Sequence, residues 1–148
     1  MKQSTSVLFV CLGNICRSPL AQGILKKKVF KSVIIDSAGT AGYHIGKNPD
    51  QRSIDIGNKN GVDISNYKAR QFSKEDFKNF DHIYVMDNSN YKDVIGQAES
   101  IEDEKKVNLI LSSNQEVPDP YYLGENGFKH CYRLLDNACE NIVKELNL

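Results

Sequence analysis

Four short apolar runs punctuate the chain: VLFV at Val7 to Val10, VIID at Val33 to Asp36, HIYVM at His82 to Met86 and VNLIL at Val107 to Leu111. Most are apolar at odd and even positions alike, which predicts strands covered on both faces, as in a parallel sheet. Between them apolar residues recur at helical spacing. Leu20, Ala21, Ile24, Leu25 and Val29 form one stripe, and Ser18-Pro19 ahead of it reads as a cap followed by a first helical residue. Asn48-Pro49 repeats that signal before a second helix ending near Gly61. Ser73 with Asp76 resembles a capping box, with Asp where Glu or Gln is usual. Phe128, Cys131, Leu135, Cys139, Ile142 and Leu146 predict a long C-terminal helix.

Strands alternating with helices predict an α/β fold: a three-layer sandwich around a central parallel sheet, joined by right-handed crossovers. No repeat, low-complexity tract or linker interrupts the pattern, so residues 1–148 are read as a single domain. In such sheets the working site lies beyond the carboxyl ends of the strands. Cys11 opens the loop at that end of the first strand.

Charge narrows the partners. Lys plus Arg and Asp plus Glu both number 19, so no net field favours nucleic acid or an anionic membrane. Any attraction for an anion must be local. No stretch reaches the roughly 20 apolar residues that span a bilayer. The segment after the polar QSTS is too short for a signal peptide, so a cytoplasmic location with reduced thiols is expected. Cys11, Cys16, Cys131 and Cys139 then read as free thiols. They lack C-x-x-C spacing, and His44, His82 and His130 add no ligand pattern, so neither metal nor cofactor is expected.

The stretch CLGNICRS, Cys11 to Ser18, bends between a strand and a helix N-terminus. A short loop there aims backbone N–H groups inward, and the helix dipole adds partial positive charge. Gly13 eases the turn and Asn14 tolerates left-handed geometry. Leu12, Gly13, Asn14, Ile15, Cys16 and Ser18 would thus form a nest for a tetrahedral dianion. Arg17 would clamp two of its oxygens, and a helix-start arginine needs an anion nearby. The same surroundings favour thiolate, the reactive form, making Cys11 a nucleophile towards phosphorus. Ser18 can donate a hydrogen bond to that sulfur. A departing alkoxide or phenoxide needs a proton, and VPDPYYLG supplies a candidate. Asp119 sits between two prolines on a stiffened mount suited to a general acid, and later to a base that activates water.

VCLGNICRSP, DSAGTAGYH, ARQFSKEDF, MDNSN and DPYY together resemble the low-molecular-weight protein tyrosine phosphatases, from near Val7 to the C-terminal helix. The resemblance implies a flavodoxin-like strand order 2-1-3-4 with the phosphate loop after the first strand. It places the nucleophile on Cys11, the phosphate clamp on Arg17 and the acid on Asp119. Asn14, Ser18 and Ser37 match loop-supporting polar residues. Tyr43, Tyr121 and Tyr122 match an aromatic rim around a phosphotyrosine ring. Ile15 stands where phosphoarginine-hydrolysing members carry threonine. Implied partners are phosphotyrosine-containing proteins, with inorganic phosphate, vanadate or sulfate able to fill the loop. Cys16 matches a second loop cysteine that in this family can form a protective disulfide with the nucleophile; packing beneath the loop is its other reading. Many relatives carry histidine just before the AR of KARQF, where Tyr67 stands here, with a hydroxyl able to take over the hydrogen bond.

Plainer readings compete at several positions. Cys131 and Cys139 belong to the apolar stripe of the last helix. Tyr121 and Tyr122 suit a rim or a core, Asp119 an acid or a turn. Asp87 fits a helix cap or a loop tether, and Lys26 to Lys28 a solvated helix face. Two other functions remain open. Arsenate reduction needs cysteines near the pocket to relay a disulfide, and a phosphate-binding module would need neither Cys11 nor Asp119.

Overall fold

The computed structural model describes residues 4–148, so Met1 to Gln3, the start of the polar N-terminal segment, lie outside the described residues. Strands β1 (Ser6–Cys11), β2 (Ile34–Gly39), β3 (His82–Val85) and β4 (Val107–Leu109) form one sheet in the order β2-β1-β3-β4. All three pairings are parallel, with Val7 opposite Ile35 and His82, and Val85 opposite Leu109. The β2 run starts one residue later than the apolar pattern suggests and continues through Ser37 to Gly39. Pairing with β1, whose Cys11 lies opposite Gly39, carries it past its apolar residues.

Apolar side chains at odd and even positions of β1 enter separate cores. Val7 and Phe9 pack with Leu20, Ile24, Leu135 and Ile142. Leu8 and Val10 pack with Phe72, Phe77, Ile83 and Val94. The first core lies under α1 (Arg17–Lys28) and α6 (Gly124–Leu146), which also contact each other. The second is covered by α3 (Glu75–Asn79) and α4 (Asn88–Ile95). Cys131 and Cys139 are buried on the α6 stripe, as its periodicity predicts.

Helix starts differ from expectation in ways that bear on the site. Helix α1 begins at Arg17, not Pro19, and its N-cap Cys16 makes no side-chain cap hydrogen bond. Ser18 lies inside the first turn, and Pro19 costs nothing there because first-turn N–H groups have no intrahelical partner. Helix α2 (Gln51–Lys59) is capped by Asp50 rather than Asn48. The Asn48 amide instead donates to the carbonyls of Ser65 and Tyr67. At α3 only half of a capping box forms, with the Ser73 N–H donating to Asp76 Oδ2 at 3.0 Å. Helices α4 and α5 (Ile101–Lys105) are capped by Asp87 and Ser100. Among the described residues no helix is long and apolar enough to cross a membrane.

Leu135 is fully buried where α6 meets the sheet. Replacing it with alanine should cost about 2–5 kcal/mol, read as a lower urea midpoint with an unchanged slope.

Candidate active site

The loop after β1 is held from outside through its carbonyls. Cys11 O accepts from Thr40 N, Leu12 O from Ala41 N, and Ile15 O from Asp50 N, all within 2.9 Å. Among the described residues no peptide is cis, and in a trans peptide the N–H points opposite to its carbonyl. The N–H groups of Leu12, Gly13 and Cys16 therefore face away from those anchoring segments. Together with the helix start that no side chain caps, this leaves donors for an anion.

Asn14 fixes the loop's shape. Its backbone is left-handed, with φ 59°. Its buried amide donates to Ser18 Oγ at 2.7 Å and Ser37 Oγ at 2.9 Å, and its Oδ1 accepts from Arg70 N at 3.0 Å. Gly13 does not carry the left-handed turn; it leaves room, since a Cβ there would lie 2.9 Å from His44 Cδ2. Gly39 is tighter, because a Cβ would sit 2.7 Å from the Leu12 carbonyl oxygen.

The hydrogen-bond directions converge on sulfur. Ser18 Oγ accepts from Asn14, so its own hydrogen is available to Cys11 Sγ, 3.0 Å away. Ala38 O, at 3.4 Å, is the longer alternative. Ser37 Oγ accepts from Asn14 and donates to Gln22 Oε1 at 2.6 Å. Gln22 thus completes the support that the resemblance assigned to a histidine or, here, Tyr67. Among the described residues no hydrogen bond from the Tyr67 hydroxyl enters this network. The Tyr67 ring packs against the core beneath Lys26 Nζ instead, 5.2 Å away. Nothing before the fold distinguished Gln22 from any other polar residue of α1.

Arg17 is buried, and its Nη1 donates to Asp87 Oδ2 at 2.8 Å and Val117 O at 2.9 Å. Burial opposes its charge, but Cys11, Asp87 and Asp119 outweigh that and hold the guanidinium above its ordinary value. Asp87 has two jobs, since its Oδ1 also caps α4 through Asn90 N. The sequence supported the cap; the arginine tether emerges only when β3 lies beside β1. Asp119 Oδ2 stands 3.7 Å from Arg17 Nη2, on a side chain 46% exposed.

Cys11, Leu12, Gly13, Ile15, Cys16 and Arg17 line one side of a cavity of about 270 Å³, and Asp119 borders it. Tyr43, Tyr121 and Tyr122 border it as well. They are 73%, 39% and 91% exposed, which places them on a rim and not in a core. His44 also lines the cavity, edge-on to Tyr43, although its spacing to the other histidines suggests no role as a ligand. Asn14, Ser18 and Ser37 are buried behind the loop. Cys16 is buried too, and burial, then Asp50 and Cys11, push its thiol up. Cys131 and Cys139 are pushed up to about 12, chiefly by burial. All four cysteines are free. Among the described residues no group of three or more His, Cys, Asp or Glu could hold a metal ion.

A parallel sheet with order 2-1-3-4 and a strand-to-helix loop running from Cys11 to the buried Arg17 define an anion-binding α/β class. Comparison with known proteins narrows that class. The profile of the family described as low molecular weight phosphotyrosine protein phosphatase matches residues 6–148. The Schizosaccharomyces pombe protein of that name is 39% identical over 157 aligned residues, covering 99% of each chain. The crystal structure of an Entamoeba histolytica protein tyrosine phosphatase with Hepes in its active site superposes with a TM-score of 0.90. It is 39% identical, with 97% of each chain covered. Vibrio vulnificus Wzb in complex with benzylphosphonate gives 0.88 at 30% identity, covering 95% of this chain and 98% of that one. The chain belongs to the low-molecular-weight phosphotyrosine protein phosphatase family.

Two outcomes follow from this geometry. Asn14→Ala should leave the Arg70 N–H without its acceptor and take one donor from each of Ser18 and Ser37, cost about 1–3 kcal/mol of stability, and weaken vanadate binding measured by calorimetry. Iodoacetamide at pH 8 should label Cys11 alone, with mass spectrometry finding Cys16, Cys131 and Cys139 unmodified because burial keeps those thiols protonated.

Proposed function

We propose that the protein hydrolyses phosphotyrosine on other proteins, through a phosphocysteine intermediate formed on Cys11. The observation that carries this reading is the meeting of three groups at one cavity. The Cys11 sulfur lies within hydrogen-bond reach of Ser18, and the buried Arg17 and the Asp119 carboxyl, 3.7 Å apart, border the same cavity.

In the first step the Cys11 thiolate attacks phosphorus and the P–O bond to the tyrosine breaks. Asp119 gives its proton to the departing phenolic oxygen. Loop amides and Arg17 hold the three non-bridging oxygens as charge redistributes. In the second step Asp119 takes a proton from water, whose oxygen attacks phosphorus, and Cys11 leaves as thiolate steadied by Ser18. Phosphate is released. No redox or metal chemistry is required for either step.

Substrate class follows from depth and rim. A phosphotyrosine carries its phosphate well beyond the peptide backbone, far enough to reach Cys11, which is nearly buried yet lines the cavity. Tyr43, Tyr121 and Tyr122 are placed to flank its ring, with Ile15 as an apolar wall. The aromatic phosphonate named with the Vibrio structure supports the same ligand class. Arsenate reduction fits less well, because Cys131 and Cys139 are buried thiols held protonated to about 12 and offer no ready thiolate relay. We place the enzyme in the cytoplasm, acting on phosphotyrosine-containing proteins, with phosphate, vanadate or sulfate competing for the loop.

Cys11→Ser should abolish turnover yet retain vanadate or phosphate binding. Asp119→Ala should slow kcat/KM for phenyl phosphate by about 10²–10⁴-fold and p-nitrophenyl phosphate far less, because nitrophenolate leaves without a proton. Equal slowing across the leaving-group series would remove Asp119 from the acid role.

A further inference from the structure

The segment bearing Asp119 exposes most of its residues, Asp119 among them, and forms no helix or strand between Val117 and Leu123, so something else must hold its carboxyl in place. Its N-terminal end is fixed at Val117, whose N–H donates to Met86 O and whose carbonyl accepts from Arg17. Beyond Pro120 the anchor is Tyr121. The Tyr121 N–H donates to Asp119 Oδ1 at 3.1 Å, so the direction of that N–H sets the orientation of the carboxyl.

Tyr121 is in turn held by a residue 69 positions earlier. Arg52 Nη1 donates to the Tyr121 carbonyl at 2.9 Å, and the guanidinium lies 5.1 Å from the Tyr121 ring and 4.6 Å from that of Phe128. Nε and Nη2 fork onto Asp50 at 3.0 and 2.9 Å. Asp50 caps α2, and its own N–H donates to Ile15 O in the phosphate loop at 2.8 Å. A continuous run of contacts therefore joins Ile15, Asp50, Arg52, Tyr121 and Asp119. An exposed ion pair alone contributes little to stability. This guanidinium, however, uses Nε, Nη1, Nη2 and its face at once, and lysine could not match that geometry. Bonding to Arg52 also holds the Asp50 carboxyl below its usual range.

We infer that Arg52 is a positioning residue for proton transfer: by gripping the Tyr121 carbonyl and ring, it sets the backbone that aims the Asp119 carboxyl into the pocket. The inference rests on Asp119 being the general acid. Small misplacements of a catalytic group are costly in rate, and the cost falls only on the step that group performs. Loss of Arg52 should therefore imitate a partial loss of Asp119 and leave the phosphate loop alone.

The test compares wild type, Arg52→Ala, Arg52→Lys, Asp119→Ala and the Arg52→Ala/Asp119→Ala pair on p-nitrophenyl and phenyl phosphate. Vanadate affinity and thermal melting are measured alongside. Arg52→Ala should lower kcat/KM for phenyl phosphate about tenfold and for p-nitrophenyl phosphate less than about twofold, with Arg52→Lys between it and wild type. In the Asp119→Ala background, Arg52→Ala should change neither substrate further. If Asp119→Ala is selective for the poor leaving group but Arg52→Ala slows both substrates equally, or weakens vanadate binding in proportion, Arg52 supports structure only and the inference is overturned. The same holds if its effect persists without Asp119. Equal slowing by Asp119→Ala itself would instead overturn the acid assignment, and the positioning role with it. Should Arg52→Ala fail to fold, Arg52→Lys carries the same comparison.

Discussion

One buried carboxamide, that of Asn14, keeps the pocket in shape. Its three hydrogen bonds reach α1 through Ser18, β2 through Ser37, and the Arg70 backbone beyond β2. They hold an asparagine in a left-handed conformation that few side chains tolerate. Because Asn14 donates to Ser18, the serine hydrogen is turned towards Cys11 rather than consumed elsewhere. The same amide therefore sets both the loop's curvature and the polarity at the sulfur. A substitution at Asn14 would disturb both together.

Charge is organised in the same economical way. Arg17 lies almost out of contact with solvent, a position that would be costly without partners. Asp87 and the Val117 carbonyl both occupy Nη1, which leaves the rest of the guanidinium directed towards Asp119 and the cavity. Since Asp87 also caps α4 and Val117 begins the Asp119 segment, the arginine couples strands β1 and β3 to the opposite wall of the pocket. The Asp50 and Arg52 pair repeats this logic on the outer side, joining loop to rim through α2.

How much of this the sequence discloses depends on whether a residue's role is local. Cys11, Gly13, Asn14, Arg17 and Ser18 lie within eight positions at a strand end, and spacing alone marks them as an anion site. Asp119 stands out through its two prolines, and the strand order follows the family resemblance. Helix limits were less legible. Ser18-Pro19 looks like a cap pair, yet the serine is committed to sulfur and the helix starts earlier without a side-chain cap. Gln22 and His44 carry no local signal, and the bonds from Asp87 to Arg17 and from Arg52 to Tyr121 are equally hidden, since each joins partners that only tertiary packing brings near. Tyr67 shows the opposite failure. A family pattern directed attention to it, but here its ring serves the core while Gln22 completes the network.

The bare start of α1 ties ligand occupancy to durability. A helix end without a side-chain cap, beside amides whose carbonyls are engaged outside, favours an oxyanion. Under the reading proposed for the loop, the released product is such an ion. By mass action it would protect the folded chain while slowing its next turnover. Resistance to unfolding and susceptibility to product inhibition would then share one origin, and neither could be engineered away without altering the other.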